Sequence, residues 1–172
     1  PEGDDLRECT ATVIYRKIEV EKGEIEVRLG FIPCFDYARA KTELENLPGG
    51  GVLASGDGRQ LAMTSTRELD LVSDKTFAIW SLKQGEVVWL RLGASGPQGS
   101  CSREDKTCVN FNEGEQALEE TIDFWQNWLE RSETGCSYDF GEYREMIERS
   151  ALVLKLLHYE PTGAIAAAAT TS

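Results

Sequence analysis

The chain has 172 residues, 41% hydrophobic and 28% charged, with 18 Lys and Arg against 30 Asp and Glu, a balance that suits a soluble globular protein of one domain plus part of another. A formal charge of −12 excludes the usual nucleic-acid binder, whose phosphate partners demand clusters of Lys and Arg. No apolar run approaches the about 18 residues of a membrane-spanning helix.

The charge is uneven. Residues 1–111 carry 14 Lys and Arg against 18 Asp and Glu, whereas residues 112–172 carry 4 against 12. The acidic surplus is expected on solvated helix faces, with an acidic docking surface as the other reading. Cys9, Cys34, Cys101, Cys108 and Cys136 are scattered without a Cys-x-x-Cys pair, and His158 is the only histidine. No zinc ligand set and no cofactor motif follows from them. Cys101 and Cys108 flank a polar loop and could close a ring in an oxidising compartment, but free thiols in a reducing cytoplasm are the expectation. The opening Pro-Glu-Gly-Asp-Asp has neither an initiator Met nor the basic-then-apolar layout of a signal peptide.

Thr10 to Glu21 is rich in Val, Ile and Tyr, and Ile25, Val27, Leu29 and Phe31 alternate with polar residues or Gly after Lys22-Gly23. Period-2 patterning on both sides of a Gly turn predicts a β-hairpin with one buried face. The same logic predicts a second hairpin from Lys75 to Gly93, turning at Gln84-Gly85. Between them, Gly56-Asp57-Gly58 predicts a tight turn joining Gly51–Ser55 to Arg59–Ser65. Short strands separated by Gly turns imply an antiparallel β-sandwich in the first two thirds of the chain.

Gly93 to Lys106 is a Gly/Ser/Pro loop. Asn112-x-x-Glu115 then resembles a capping box, and Leu118, Ile122, Trp125 and Leu129 fall at helical spacing, which predicts a helix that Gly135 breaks. A second helix is expected from Tyr143 to His158, closed by Pro161 and Gly163. Ile147, Ala151, Leu154 and Leu157 form its inner stripe, while Val153 and Leu156 widen the apolar arc. A helix apolar over so wide an arc expects neighbours on several sides, and the Ala-rich run after it is expected to belong to a longer polypeptide.

Three stretches carry a resemblance: Pro33-Cys-Phe-Asp-Tyr-Ala-Arg-Ala40, Phe124-Trp-Gln-Asn-Trp-Leu129, and Arg149 through Ser172. In order and spacing they resemble the bacterial-type glycoside hydrolase family 15, the glucoamylase-, glucodextranase- and trehalase-like proteins. The third stretch is the most specific. The likeness runs from about Glu8 onward and omits the loop from Gly93 to Thr107. It implies an N-terminal super-sandwich over residues 1–111, a helical linker over about 112–138 and the first helix of an incomplete (α/α)6 barrel, with residues 112–172 holding the linker and the barrel's start. It further implies hydrolysis of α-glucosides with inversion, by one carboxylate acid and one carboxylate base. No glutamate here matches either, so the catalytic set is none and the chain alone is expected to be inactive. The implied partners are an α-glucoside or trehalose substrate and a C-terminal catalytic domain.

Candidate contacts remain. Asp36, Tyr37 and Arg39 sit in a Pro-bounded loop after a strand, where Tyr37 is expected to pack and Asp36 and Arg39 to form hydrogen bonds that fix the corner, or where the loop touches the barrel's mouth. The resemblance places Thr170, Thr171 and Ser172 near the sugar pocket, although Ala169 stands where many relatives have proline. Trp80 and Trp89 read as a cross-strand pair in the core, with glucan stacking as the other reading. His158 reads as a helix cap, and Glu119, Glu120 and Asp123 as solvated surface. The alternative for the whole chain is a non-catalytic sandwich that binds glucan or a protein.

Overall fold

The β-branched and aromatic segments form strands, and the segments of 3.6 periodicity form helices. The computed structural model describes residues 12–47, 50–72, 75–95, 109–134, 139–159 and 162–168. Cys9, Cys101, Cys108, Cys136, Ala169, Thr170, Thr171 and Ser172 lie outside them. In chain order the strands are β1 (Thr12–Glu19), β2 (Glu24–Phe31), β3 (Glu43–Asn46), β4 (Val52–Gly56), β5 (Arg59–Ser65), β6 (Asp70–Val72), β7 (Lys75–Lys83) and β8 (Val87–Ser95). The helices α1 (Phe111–Thr134) and α2 (Arg144–Leu156) follow, then the short strands β9 (His158–Tyr159) and β10 (Ala164–Ile165). The chain divides into two compact units, Pro1–Ala117 and Leu118–Ser172, with the boundary inside α1.

In the first unit, five antiparallel strands run in the order β1-β8-β5-β4-β3 and three more in the order β2-β7-β6. The two sheets bury a shared core of Val20, Ala78, Trp80, Leu82, Val88 and Leu90. A second cluster holds Phe31, Phe35, Val52, Ala54 and Met63. The sheet-rich sandwich thus matches the expected class, but the two predicted hairpins are absent. β1 pairs with β8 and β2 with β7, so neither Gly23 nor Gly85 reverses the chain within one sheet. Each instead carries a strand across from one sheet to the other.

The ladder pairs Glu19 with Val87 and then Glu24 with Lys83. Residues 20–23 therefore oppose residues 84–86, and the first strand holds one extra residue at the corner. Such a bulge bends the pair and swaps which side chains face inward. Ile18 and Val20 face the core before it, and Val27 and Leu29 after it. The corner is tied by Gly85 N–H to Val20 O (2.9 Å), Gln84 N–H to Gly23 O (2.8 Å) and Val20 N–H to Glu86 O (3.2 Å). Ile25, expected to be buried, sits beside this corner and is exposed. The hairpin at Asp57-Gly58 does form: both residues have positive φ (51° and 69°) between β4 and β5, the conformation of a type I′ turn.

Trp80 and Trp89 do not pack together. Trp80 enters the core, its indole N–H donating to Glu68 O at 3.2 Å. Trp89 projects from the opposite face of the larger sheet and is only 2% exposed, because the start of α1 lies on it. A Cβ added to Gly114 would fall 2.4 Å from the Trp89 ring, so only glycine permits this approach. Burying that ring contributes on the order of 5 kcal/mol gross.

Polar contacts fix the same seam. The helix cap is Asn110, whose Oδ1 accepts the Glu113 N–H at 2.8 Å, not the expected Asn112. Glu113 accepts from the Tyr15 hydroxyl (2.8 Å) and lies 3.6 Å from the buried Arg91 guanidinium. Glu115 accepts from the Trp89 indole (3.1 Å) and pairs with Lys17 at 3.0 Å. The Val109 N–H donates to the fully buried Thr64 hydroxyl at 3.2 Å.

The Lys17 hydrogen bond holds Glu115 below the ordinary carboxylate value of 4.5, and the Glu115 bond raises Lys17 above 10.5. Burial chiefly, with the Glu113 bond, raises Tyr15 above 10.0. A depressed acid stabilises above its unfolded pKa and a raised base below it. Stability should therefore hold between those values, fall as pH drops below about 4.5, and fall again as it rises past about 10. Urea midpoints across pH for Glu115→Gln should show a shallower acid limb. Part of that limb should persist, because Glu86, held by the Lys83 backbone N–H and by Arg67, is also depressed. An unchanged acid limb would remove Glu115 from the account. Gly114→Ala should lose about 1–3 kcal/mol through overpacking against Trp89, despite a helix-propensity gain of about 1 kcal/mol. A variant as stable as the parent in urea unfolding would show that the seam is loose.

Candidate functional site

Pro33 ends β2's extension, and the chain then makes an unusual turn at Phe35–Ala38. Asp36, Tyr37 and Ala38 are consecutive non-glycine residues at φ 46°, 55° and 65°. The left-handed region costs Tyr37 and Ala38 about 1–2 kcal/mol each, and Asp36 less because short polar side chains tolerate it. The Arg39 guanidinium bonds Asp36 Oδ1 at 2.9 Å and Asp36 O at 3.1 Å. That pair is largely exposed, and an exposed pair contributes under about 1 kcal/mol. The anchor is Phe35, which is buried beneath the turn, where burial is worth about 2–3 kcal/mol. Its ring lies against the bare backbone of Gly56, where a Cβ would approach to 2.6 Å. The Thr42 hydroxyl closes the base by donating to Pro33 O at 3.1 Å.

The structure therefore brings Asp36, Tyr37 and Arg39 together in one turn, and the hydrogen bonds expected of Asp36 and Arg39 run between the two. Tyr37 does not pack as expected; it is 80% exposed. The Arg39 guanidinium lies 5.6 Å from its ring centroid, the cation–π arrangement. Cys34, a free thiol, is exposed beside the turn. Sequence reasoning missed the tilt outward because Tyr37 follows a buried aromatic. A local signal was present nonetheless, since Asp is among the few non-glycine residues that tolerate the left-handed region.

The second unit holds α1 beyond Ala117, α2 and the β9–β10 pair. Trp125 packs edge-to-face with Phe124 (5.2 Å) and with Trp128 (6.5 Å). Trp128, Ala151, Leu154, Lys155, His158 and Ile165 line an apolar groove of about 370 Å³. His158 does not cap α2; Leu157 holds that position and His158 starts β9. Its Nδ1 is buried without a hydrogen-bond partner. Met146, Val153, Leu154 and Leu156 on α2 are exposed, in keeping with the wide apolar arc. Glu119, Glu120 and Asp123 are open to solvent. Among the described residues no cluster of His, Cys, Asp and Glu is arranged to hold a metal ion, and no helix is long and apolar enough to cross a membrane.

Comparison with known proteins decides the relationship. The chain is 30% identical over 160 residues to a trehalase of Thermoplasma volcanium, covering 92% of this chain and 23% of that protein. It is 27% identical over 160 residues to a trehalase of Thermoplasma acidophilum, covering 92% and 25%. The chain is related to trehalases. A trehalase of Mycobacterium tuberculosis is 26% identical over 167 residues, covering 93% and 23%. No family model matches, and no solved structure matches. The chain thus spans about a quarter of the length of these trehalases while nearly all of it is matched.

One consequence of the turn's strain is measurable. Ala38→Gly removes a Cβ from the left-handed region, and a gain of roughly 0.5–1 kcal/mol is expected after the added freedom of the unfolded chain is offset. Urea unfolding measures it. A loss of stability would mean that Ala38 is not strained.

Proposed function

We propose that this chain is the N-terminal part of an inverting α-glucoside hydrolase of the trehalase-like kind, acting in carbohydrate metabolism in the cytoplasm. The observation that carries this reading is the match to trehalases over 92–93% of the chain and 23–25% of their length. On this reading the sandwich of residues 1–111 is an accessory domain. Residues 112–172 supply a linker helix and the start of an (α/α)6 barrel, whose remaining helices cover the exposed flanks of α2. The exposed free thiol of Cys34 suits a reducing compartment.

Hydrolysis with inversion needs one carboxylic acid at the leaving oxygen and one carboxylate activating water on the opposite face. Several carboxylates of this chain have other roles. Glu113 and Glu115 hold the helix–sheet seam, Glu86 bonds the Lys83 backbone N–H, and Glu119, Glu120 and Asp123 face water. The catalytic pair is accordingly assigned to a C-terminal catalytic domain, and residues 1–172 shape and support the substrate site. Thr170, Thr171 and Ser172 remain substrate-proximal on this reading, together with Asp36, Tyr37 and Arg39. The alternative, a freestanding glucan-binding sandwich, cannot use Trp80 or Trp89 for stacking, because both are buried.

The test has two arms. Residues 1–172 should release no glucose from trehalose, maltotetraose or an α-1,6-glucan. The polypeptide encoded by the frame read past Ser172 should release it, glucose freed from maltotetraose appearing first as the β-anomer by NMR and trehalose giving α- and β-glucose in equal amounts. Glucose release by residues 1–172 alone would overturn the assignment of the catalytic pair. An inactive longer polypeptide, or a first product that is α-glucose alone, would overturn the inverting hydrolase.

A further inference from the structure

An exposed tyrosine needs no special backbone; any loop presents one. Here the chain holds Tyr37 in the open at the cost of three consecutive left-handed residues, and the conformation is over-determined by the buried Phe35 anchor, the Gly56 approach and the Thr42–Pro33 bond. Strain maintained in this way marks positions where a side chain is aimed for use. Phe35 is buried and Tyr37, two residues on, is 80% exposed, so a stiff base carries an outward ring.

The neighbours of that ring decide what it suits. Arg39 lies over the Tyr37 ring and leaves the other face uncovered, while Arg39 is also fastened to Asp36. An apolar protein pocket would receive a tyrosine best when the flanking residues were apolar as well. This ring is flanked by a guanidinium and a carboxylate, both exposed. The combination of one apolar ring face with adjacent charged hydrogen-bonding groups matches a pyranose, which offers a C–H face to an aromatic ring and hydroxyls at its edge.

We infer that the Asp36–Arg39 turn is a carbohydrate-contact element, in which the free face of Tyr37 stacks on a glucosyl ring while Arg39 and Asp36 bond its hydroxyls. The inference rests on the α-glucoside reading for the identity of the sugar, and it gives Tyr37 a binding role and not a catalytic one. It predicts that the turn contributes to substrate affinity without entering the proton transfers.

Trehalose titrated into residues 1–172 should shift the Tyr37 ring resonances saturably in NMR spectra, and sorbitol, which has no pyranose face, should not. Tyr37→Ala should weaken binding roughly fivefold, and Tyr37→Phe should keep most of it, circular dichroism confirming that both variants fold. No saturable shift with trehalose, or equal shifts with sorbitol, overturns the inference. In the longer polypeptide, Tyr37→Ala should raise KM and leave kcat nearly unchanged. An active enzyme indifferent to Tyr37→Ala in both constants overturns the inference and leaves the hydrolase reading standing. A longer polypeptide with no activity overturns the hydrolase reading, and the trehalose shifts alone then decide the role of Tyr37.

Discussion

The sandwich depends on one bent ribbon. β1 and β2 run on one side of it and β7 and β8 on the other, so two stretches of chain pair continuously through both sheets. At the corner the first stretch carries one residue more than its partner. That extra residue lets Val20 and Val27 both face inward, although their numbers differ in parity. Two glycines at positive φ, Gly23 (80°) and Gly85 (82°), occupy the bend with no neighbour within 4 Å of an added Cβ. They are there for their backbone conformation and not to make room. The ribbon also sets the two indoles: Trp80 goes inside in line with Ala78 and Leu82 of β7, and Trp89 goes outside because it alternates with the inward Val88 and Leu90 of β8.

That outward position of Trp89 creates the next constraint. A large indole on the outer face of a sheet has to be covered, and the first turns of α1 cover it through Gly114. The charged residues of the seam then follow a simple rule, that a buried or half-buried charge needs a partner. Arg91 faces Glu113 and Lys17 faces Glu115. Lys17 also lies 5.8 Å from the Trp89 ring centroid, so the cation, the ring and the carboxylate form one contact. Two glutamates that belong to a strongly acidic helix by composition are thereby structural, while Glu119, Glu120 and Asp123 further along remain in water.

The same residues show what a sequence conveys and what it withholds. Strand positions were legible from period-2 alternation, and both helices from their 3.6 spacing. The hairpin at Asp57-Gly58 was legible because Asp-Gly sets side by side two residues that tolerate positive φ, as a type I′ turn requires. Partners were not legible: a Gly turn between two alternating strands reads the same whether the chain reverses or crosses to another sheet. The cap was misplaced by two residues because Asn110 and Asn112 both stand before a glutamate at the right spacing, and only contact with the sheet selects Asn110-x-x-Glu113. At the candidate site, the loop and its Asp36–Arg39 pair were legible from residue type. The exposure of Tyr37 was not, since it follows from φ values that composition does not encode.

The two kinds of glycine and the one left-handed run of non-glycine residues point to a division within the sandwich. Where the fold itself needs positive φ, at the corner and in the β4–β5 hairpin, glycine is present, joined only by Asp57, and the strain is avoided or small. At Asp36–Ala38 glycine is absent, although Ala38 and Tyr37 gain nothing from their side chains in packing terms: Tyr37 points into solvent and Ala38 is exposed. A glycine at either position would relieve the backbone, and at Ala38 it would remove no contact that holds the fold. The stability of the sandwich therefore does not explain this turn. What distinguishes it is a ring held in the open, beside a paired guanidinium and carboxylate, on a chain whose relatives are enzymes named for a sugar.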